Sequence, residues 1–170
     1  MLSFDLRSLE SHAARVDAEL PADDPVWEEG DFRPVDAVRV TGRLSSAGVG
    51  RFYFSGRIEG AAAASCRRCL DENVQVRVDE EVHLLLVEPG ADEADEPDVF
   101  LIDVREHILD LRPAIREEWL LAVPAFALCR ESCLGLCPNC GVNRNLAECS
   151  CTPAIDPRWS ALTSLRDAKR

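Results

Sequence analysis

Six of the eight cysteines of this 170-residue chain lie at Cys129, Cys133, Cys137, Cys140, Cys149 and Cys151, and the other two form Cys66-Arg67-Arg68-Cys69. Within the longer segment, Cys137-Pro138-Asn139-Cys140-Gly141 has the form of a zinc knuckle. Such a turn offers two thiolates to one metal, and its glycine lets the backbone bend until the amides face the sulfurs. A knuckle supplies half of a four-ligand site. The chain must therefore fold so that further cysteines reach it.

At this length one domain is expected, burying about two-thirds of its unfolded surface without help from disulfides. Met1 to Arg7 shows no basic segment followed by an apolar run, and no stretch of about eighteen apolar residues occurs. The expected compartment is the cytoplasm, where thiols stay reduced and closely spaced cysteines favour metal over disulfides. The net charge of −12 is unevenly placed: residues 1–128 hold 13 basic and 27 acidic side chains, residues 129–170 hold 6 and 4. This divides the chain into an acidic body, 1–128, and a cysteine-rich end, 129–170, expected to pack together as one unit. An acidic field repels phosphate, so RNA contact is expected only near the cysteines, or indirectly through a basic protein.

Along the body, Phe4 and Leu6 alternate with polar residues as in a short strand, and Leu9, Ala13, Val16 and Leu20 recur at helical spacing over Ser8 to Leu20. Residues 21–35 read as a loop pinned to the body by Trp27 and Phe32. From Val35 the period becomes two. Val38 to Leu44, Arg51 to Ile58 and Asn73 to Val87 are expected strands, with Ser45 to Gly50 a turn and Phe52, Phe54 and Ile58 in the core. This pattern puts Cys66 and Cys69 at a hairpin tip. Glu88 to Asp98 is an acidic run without a basic residue, expected to be solvated and mobile. Strand-like residues return from Val99 to Ile108. Asp110 then resembles an N-cap for a helix carrying Ile115, Trp119 and Val123 and ending before Pro124, and Asp156-Pro157 opens a last helix with Trp159, Leu162 and Leu165. The expected class is α+β: an antiparallel, barrel-like β meander with a few helices and a C-terminal zinc-binding segment.

Eight thiols make two four-ligand sites. Cys137, Cys140, Cys149 and Cys151 are close enough to surround one ion with little loop-closure cost, which leaves Cys66 and Cys69 to meet Cys129 and Cys133. The rival arrangement pairs the two knuckles, as in a zinc ribbon. Filled four-thiolate zinc sites are closed to water, so this chemistry builds a scaffold and the chain reads as no enzyme. The different-class alternative is thiol-disulfide exchange at Cys137 and Cys140, but the strand before and helix after that such a pair calls for are missing. The histidine signature of nucleobase deaminases, the phosphate loop and the ferredoxin cysteine spacing are all absent, and no small-molecule substrate or membrane contact is expected.

Several of these stretches together resemble the YceD family, the large ribosomal RNA subunit accumulation proteins of bacteria and plastids. They are Cys66-Arg67-Arg68-Cys69-Leu70 after a β meander, the acidic loop, Asp110-Leu111, Leu120-Leu121-Ala122-Val123-Pro124, Cys129, Cys133-Leu134-Gly135-Leu136-Cys137-Pro138-Asn139-Cys140-Gly141-Val142-Asn143, Cys149-Ser150-Cys151 and Asp156-Pro157-Arg158-Trp159. The resemblance implies ribosome biogenesis: support of 23S ribosomal RNA synthesis or accumulation during large-subunit assembly, without known enzymatic activity. It departs from the family pattern at Leu134, where a basic residue is frequent, and at Arg144, where leucine is frequent. Two partners follow as expectations. A large-subunit rRNA precursor would meet Arg67, Arg68, Arg130, Arg144 and Arg158 at the zinc end, whereas a basic large-subunit ribosomal protein would be held by the acidic body.

Overall fold

The computed structural model describes residues 1–102, 107–152 and 158. The long β4–β5 hairpin, Arg51–Ala64 with Val74–Val87, is its spine, and the two strands pair antiparallel along their whole length. β2 (Ala14–Pro21) and β3 (Ala37–Gly48) add antiparallel to one side. β6 (Val99–Leu101) adds parallel to β5 on the other, completing the order β2-β3-β4-β5-β6. β1 (Ser3–Asp5) and β7 (Ile108–Asp110) form a separate antiparallel pair. The helices are α1 (Leu6–Ser11) and α2 (Arg112–Ala122).

The architecture corrects the expected barrel. β2 and β6 remain edges of an open sheet, and that sheet is mixed because the connection through the acidic run returns the chain parallel to β5. Acidic residue Glu93 is held in place, its carboxylate 2.8 Å from the guanidinium of Arg51, so the run is not purely solvated. The turn after β3 is shorter than expected, since pairing continues to Gly48 opposite Arg51 after a bulge.

The expected helix from Ser8 to Leu20 does not form. Its first part belongs to α1, where the Asp5 carboxylate caps the helix by accepting from the Ser8 amide at 2.9 Å. Its second part is β2, with Val16, Ala18 and Leu20 buried and Arg15, Asp17 and Glu19 outward. Leu9, Ala13, Val16 and Leu20 fit a helical period, but Val16, Ala18 and Leu20 also fit a period of two. Pairing with β3 satisfies the backbone and buries all three, so the tertiary partner overrides local preference.

Val38, Val40, Leu44, Phe52, Phe54, Ile58, Leu84 and Leu86 line the inner face of the sheet and are covered by α1, α2 and the loop before β3. Trp119 of α2 lies on Gly60 of β4, where a β-carbon would come within 2.9 Å of the indole ring. Its Nε1 donates to the Phe32 carbonyl at 2.7 Å. Trp27 is buried as expected and donates to Pro21, but the Phe32 ring is 60% exposed. Phe32 thus holds the loop through its carbonyl, helped by a bidentate pair from Arg116 to Asp31 at 2.7 and 2.9 Å. That hydrogen-bonded guanidinium lowers the pKa of Asp31. Leu111 occupies the N-cap of α2, and the carboxylate of Asp110 accepts from the Arg112 amide at 3.0 Å. The last helix expected from Asp156 lies outside the described residues except at Arg158.

Candidate metal centres

β4 stops at Ala64 and β5 begins at Val74, and between them Cys66 to Leu70 makes a tight turn closed by the Leu70 amide on the Cys66 carbonyl at 2.8 Å. Cys137 to Gly141 repeats it, with the Gly141 amide on the Cys137 carbonyl at 2.9 Å. The residue after each second cysteine has positive φ, 58° at Leu70 and 74° at Gly141. Leucine is unusual in that region, where a β-carbon crowds the backbone, so the second knuckle is marked by its glycine and the first only by its cysteine pair at a hairpin tip.

Each turn aims amides at its first sulfur. Backbone N–H groups of Arg68 and Cys69, with that of Cys129, face the Cys66 thiol, and those of Asn139 and Cys140 face the Cys137 thiol. Cys66 is drawn down to about 6, chiefly by the Cys129 amide, and Cys137 to about 6, chiefly by the Cys140 amide. The opposite members resist ionisation. Burial and the neighbouring Cys133 push Cys129 up to about 12, and Cys151 is pushed to about 12 by hydrogen bonding with Cys140 and by burial.

The structure gathers Cys66, Cys69, Cys129 and Cys133 into one group and Cys137, Cys140, Cys149 and Cys151 into another, with the sulfurs of each group within 4.8 Å of one another. Cys66 and Cys133 sulfurs are 3.8 Å apart, and those of Cys69 and Cys129 are 3.7 Å apart. Four thiolates at the usual zinc–sulfur distance of about 2.3 Å stand at tetrahedron corners roughly 3.8 Å apart, whereas a disulfide requires about 2.05 Å. The donor sets and spacing therefore fit tetrahedral zinc. The first group is largely buried, in a small core with Val74, Ala127 and Leu136, and the second lies nearer solvent. A zinc ion held here would compete with protons for the same sulfurs, so its affinity would fall as pH falls, and steeply through the range near 6 where Cys66 and Cys137 also take up protons. Because Cys129 and Cys151 hold protons at pH 7 without metal, zinc is expected to displace at least one proton at each site. Calorimetric titration in buffers of different ionisation enthalpy measures that release, and a buffer-independent heat would contradict it.

Of the arginines singled out in the sequence, Arg67, Arg68 and Arg130 serve the fold. Arg67 lies over the Phe126 ring, 3.6 Å from its centroid. Arg68 Nη1 donates to the carbonyls of Glu131 and Cys133 at 3.0 and 3.1 Å, tying the first knuckle to the segment after α2. Arg130 Nη2 donates to Asn145 Oδ1 at 2.9 Å. Arg144 borders the second group, beside Cys137, Pro138, Asn139, Cys149 and Cys151, and Arg158 is exposed. Asn143 and Asn145, at the centre of the hydrogen bonding between the two groups, were not singled out: asparagines in a loop carry no spacing signature.

A family model described as large ribosomal RNA subunit accumulation protein YceD matches residues 54–166. The chain belongs to the YceD family. The matched region runs from β4 through both cysteine groups, so this YceD protein carries the site within its family-defining part. Uncharacterized proteins of Mycobacterium tuberculosis and Mycobacterium bovis are each 30% identical to it over 164 residues, covering 95% of this chain and 73% of theirs. No solved structure matches the chain. Among the described residues, no helix is long and apolar enough to cross a membrane.

Proposed function

We propose that this YceD protein is a non-enzymatic, zinc-stabilised factor that supports accumulation of 23S ribosomal RNA during large-subunit assembly. Family membership supports the ribosomal role. The single structural observation that supports the zinc reading is the gathering of the eight thiols into two four-sulfur groups, each within 4.8 Å, with sulfur pairs of the first group 3.7 and 3.8 Å apart. Filled, both sites would be coordinatively closed, with Cys66, Cys69, Cys129 and Cys133 holding one ion and Cys137, Cys140, Cys149 and Cys151 the other. They would supply rigidity and offer no position for an attacking water.

Between the two partners, the charge balance favours a basic large-subunit ribosomal protein held by the acidic body. Arg67, Arg68 and Arg130 are engaged within the fold, which leaves Arg144 as the best-placed arginine for a phosphate contact. Depleting the protein in its native cell is expected to lower the ratio of 23S to 16S ribosomal RNA, with rescue by the parent chain and not by Cys66→Ser. An unchanged ratio would remove the ribosomal reading. Binding of purified protein to basic large-subunit proteins and to rRNA fragments distinguishes the partners. Neutralising acids in 88–98 should weaken the former, and Arg144→Glu the latter.

A further inference from the structure

The two cysteine groups are joined by one short hairpin. Cys133 of the first group stands at its open end and Cys137 and Cys140 of the second at its turn. Its rungs run from the turn outward. The Cys137 amide donates to the Val142 carbonyl at 2.8 Å, Leu136 bridges Asn143, and the Arg144 amide donates to the Gly135 carbonyl at 2.9 Å. The last rung is made by a side chain, Asn145 Oδ1 accepting from the Leu134 amide at 2.9 Å. The outer strand is anchored on the first knuckle, because the Leu136 amide donates to the Arg68 carbonyl at 2.9 Å.

Asn145 is fully engaged at that open end. Its Oδ1 also accepts from Arg130, and its Nδ2 donates to Asn143 Oδ1 at 2.8 Å and to the Cys133 sulfur at 3.4 Å. Asn143 Oδ1 accepts from the Asn145 amide as well, at 3.0 Å, which fixes where the second asparagine points. A donor on a thiolate stabilises its charge and orients it, the service that outer-shell groups perform for metal ligands. This donor comes from the strand that returns from the other site.

We propose that Asn145 is a positioning residue that couples the two cysteine sites, so that zinc held by Cys137, Cys140, Cys149 and Cys151 strengthens zinc binding by Cys66, Cys69, Cys129 and Cys133. The inference rests on the zinc reading. A metal at the hairpin's turn orders both strands, and that ordering delivers the Asn145 amide to Cys133. The first site then binds without bearing the ordering cost a second time, which is positive cooperativity through shared order. By linkage the effect is reciprocal, and couplings of this kind are typically about 5- to 150-fold.

The test is zinc competition against a chromophoric chelator on the full-length chain. Disabling the second site by Cys140→Ser with Cys151→Ser, both exposed positions, is expected to weaken the first site by about tenfold or more. In an Asn145→Ala background, the same disabling should change first-site affinity less than about twofold, because the connection is already cut. Asn145→Asp keeps the acceptor for Leu134 and Arg130 and loses both Nδ2 donations, to the Cys133 sulfur and to Asn143 Oδ1, so Asn143→Ala, which removes only the second, is its control. Asn145→Asp should shift the thiolate-to-cobalt absorption of a cobalt-loaded first site, which a purely structural role would leave unmoved. Should the double-serine chain not fold, stepwise zinc titration of the parent chain must show cooperative uptake that Asn145→Ala abolishes. Two ions bound with no change at the first site on losing the second would overturn the coupling alone, whereas no zinc bound by the parent chain would overturn the zinc reading beneath it.

Discussion

Stripping the proposed zinc from the purified protein with a strong chelator is expected to release residues 124–152 from the body while the sheet stays folded. Structural zinc in small domains carries on the order of 10–16 kcal/mol of apparent binding free energy, as much as the whole net stability of an ordinary domain. Apart from the hydrogen bonds of Arg67, Arg68 and Leu136, the region around the first site has little apolar packing to hold it. Its apolar cluster is confined to Val74, Ala127 and the buried cysteines, with Ala64, Val76 and Leu136 beside them. The body has a separate core of strand and helix side chains that does not depend on the cysteines. Hydrogen exchange should therefore show the amides of Leu134, Leu136 and Cys137 losing protection by orders of magnitude on chelation, while those of β3, β4 and the lower part of β5 keep theirs. Cys66→Ser should reproduce this, whereas Cys149→Ser should loosen the second loop and the hairpin that carries Asn145 while the first knuckle stays seated on the body. Unchanged protection at Leu134 and Leu136 in protein shown by metal analysis to be zinc-free would mean that the segment stands without metal.

Replacing Trp119 by alanine is expected to be the most damaging single change in the body, costing about 3–5 kcal/mol and lowering Tm by roughly 10 °C at this chain length. The ring is completely buried over Gly60, which has no side chain to fill the space it would leave. The indole N–H is also the anchor for the loop before β3, through the Phe32 carbonyl. Trp119→Phe keeps most of the volume and loses that bond, so it should fall between parent and alanine. Thermal unfolding at saturating zinc checks both variants. A Tm for the alanine variant within a degree or two of the parent would show that the contact between α2 and β4 contributes little. The complementary change, Gly60→Val, drives a β-carbon into the ring and should destabilise by overpacking instead of by a cavity.

Much of the sheet was legible because its strands have one apolar and one solvated face. Phe52, Phe54 and Ile58 alternate with outward residues in β4, and Val78, Val82, Leu84 and Leu86 do so in β5. A period of two in a long run has few competing explanations. Ambiguity entered where the run was short and alanine-rich, as from Ser8 to Leu20, and there the availability of β3 as a partner decided the outcome. In the loop anchor Trp27 packs as expected, and Phe32 departs from expectation for a related reason. An aromatic ring in a loop suggests packing by its side chain, whereas Phe32 acts through a backbone carbonyl, which leaves no trace in residue identity.

Residue order alone dictates the cysteine pairs, the glycine that closes the second knuckle and the segregation of negative charge away from the cysteine-rich end, because each depends on neighbours within a few positions. Spacing along the chain also brings Cys137, Cys140, Cys149 and Cys151 within reach of one another. The meeting of Cys66 and Cys69 with Cys129 and Cys133 is a different matter. It requires the full pairing of β4 with β5, the seating of α2 through Trp119, and the grip of Arg68 on the carbonyls of Glu131 and Cys133. The same holds for Asn145 beside the Cys133 sulfur. Contacts between cysteines sixty or more positions apart, and the side-chain contact of Asn145 with Cys133 twelve positions away, are set by how whole segments pack, and that information is not local to any one motif.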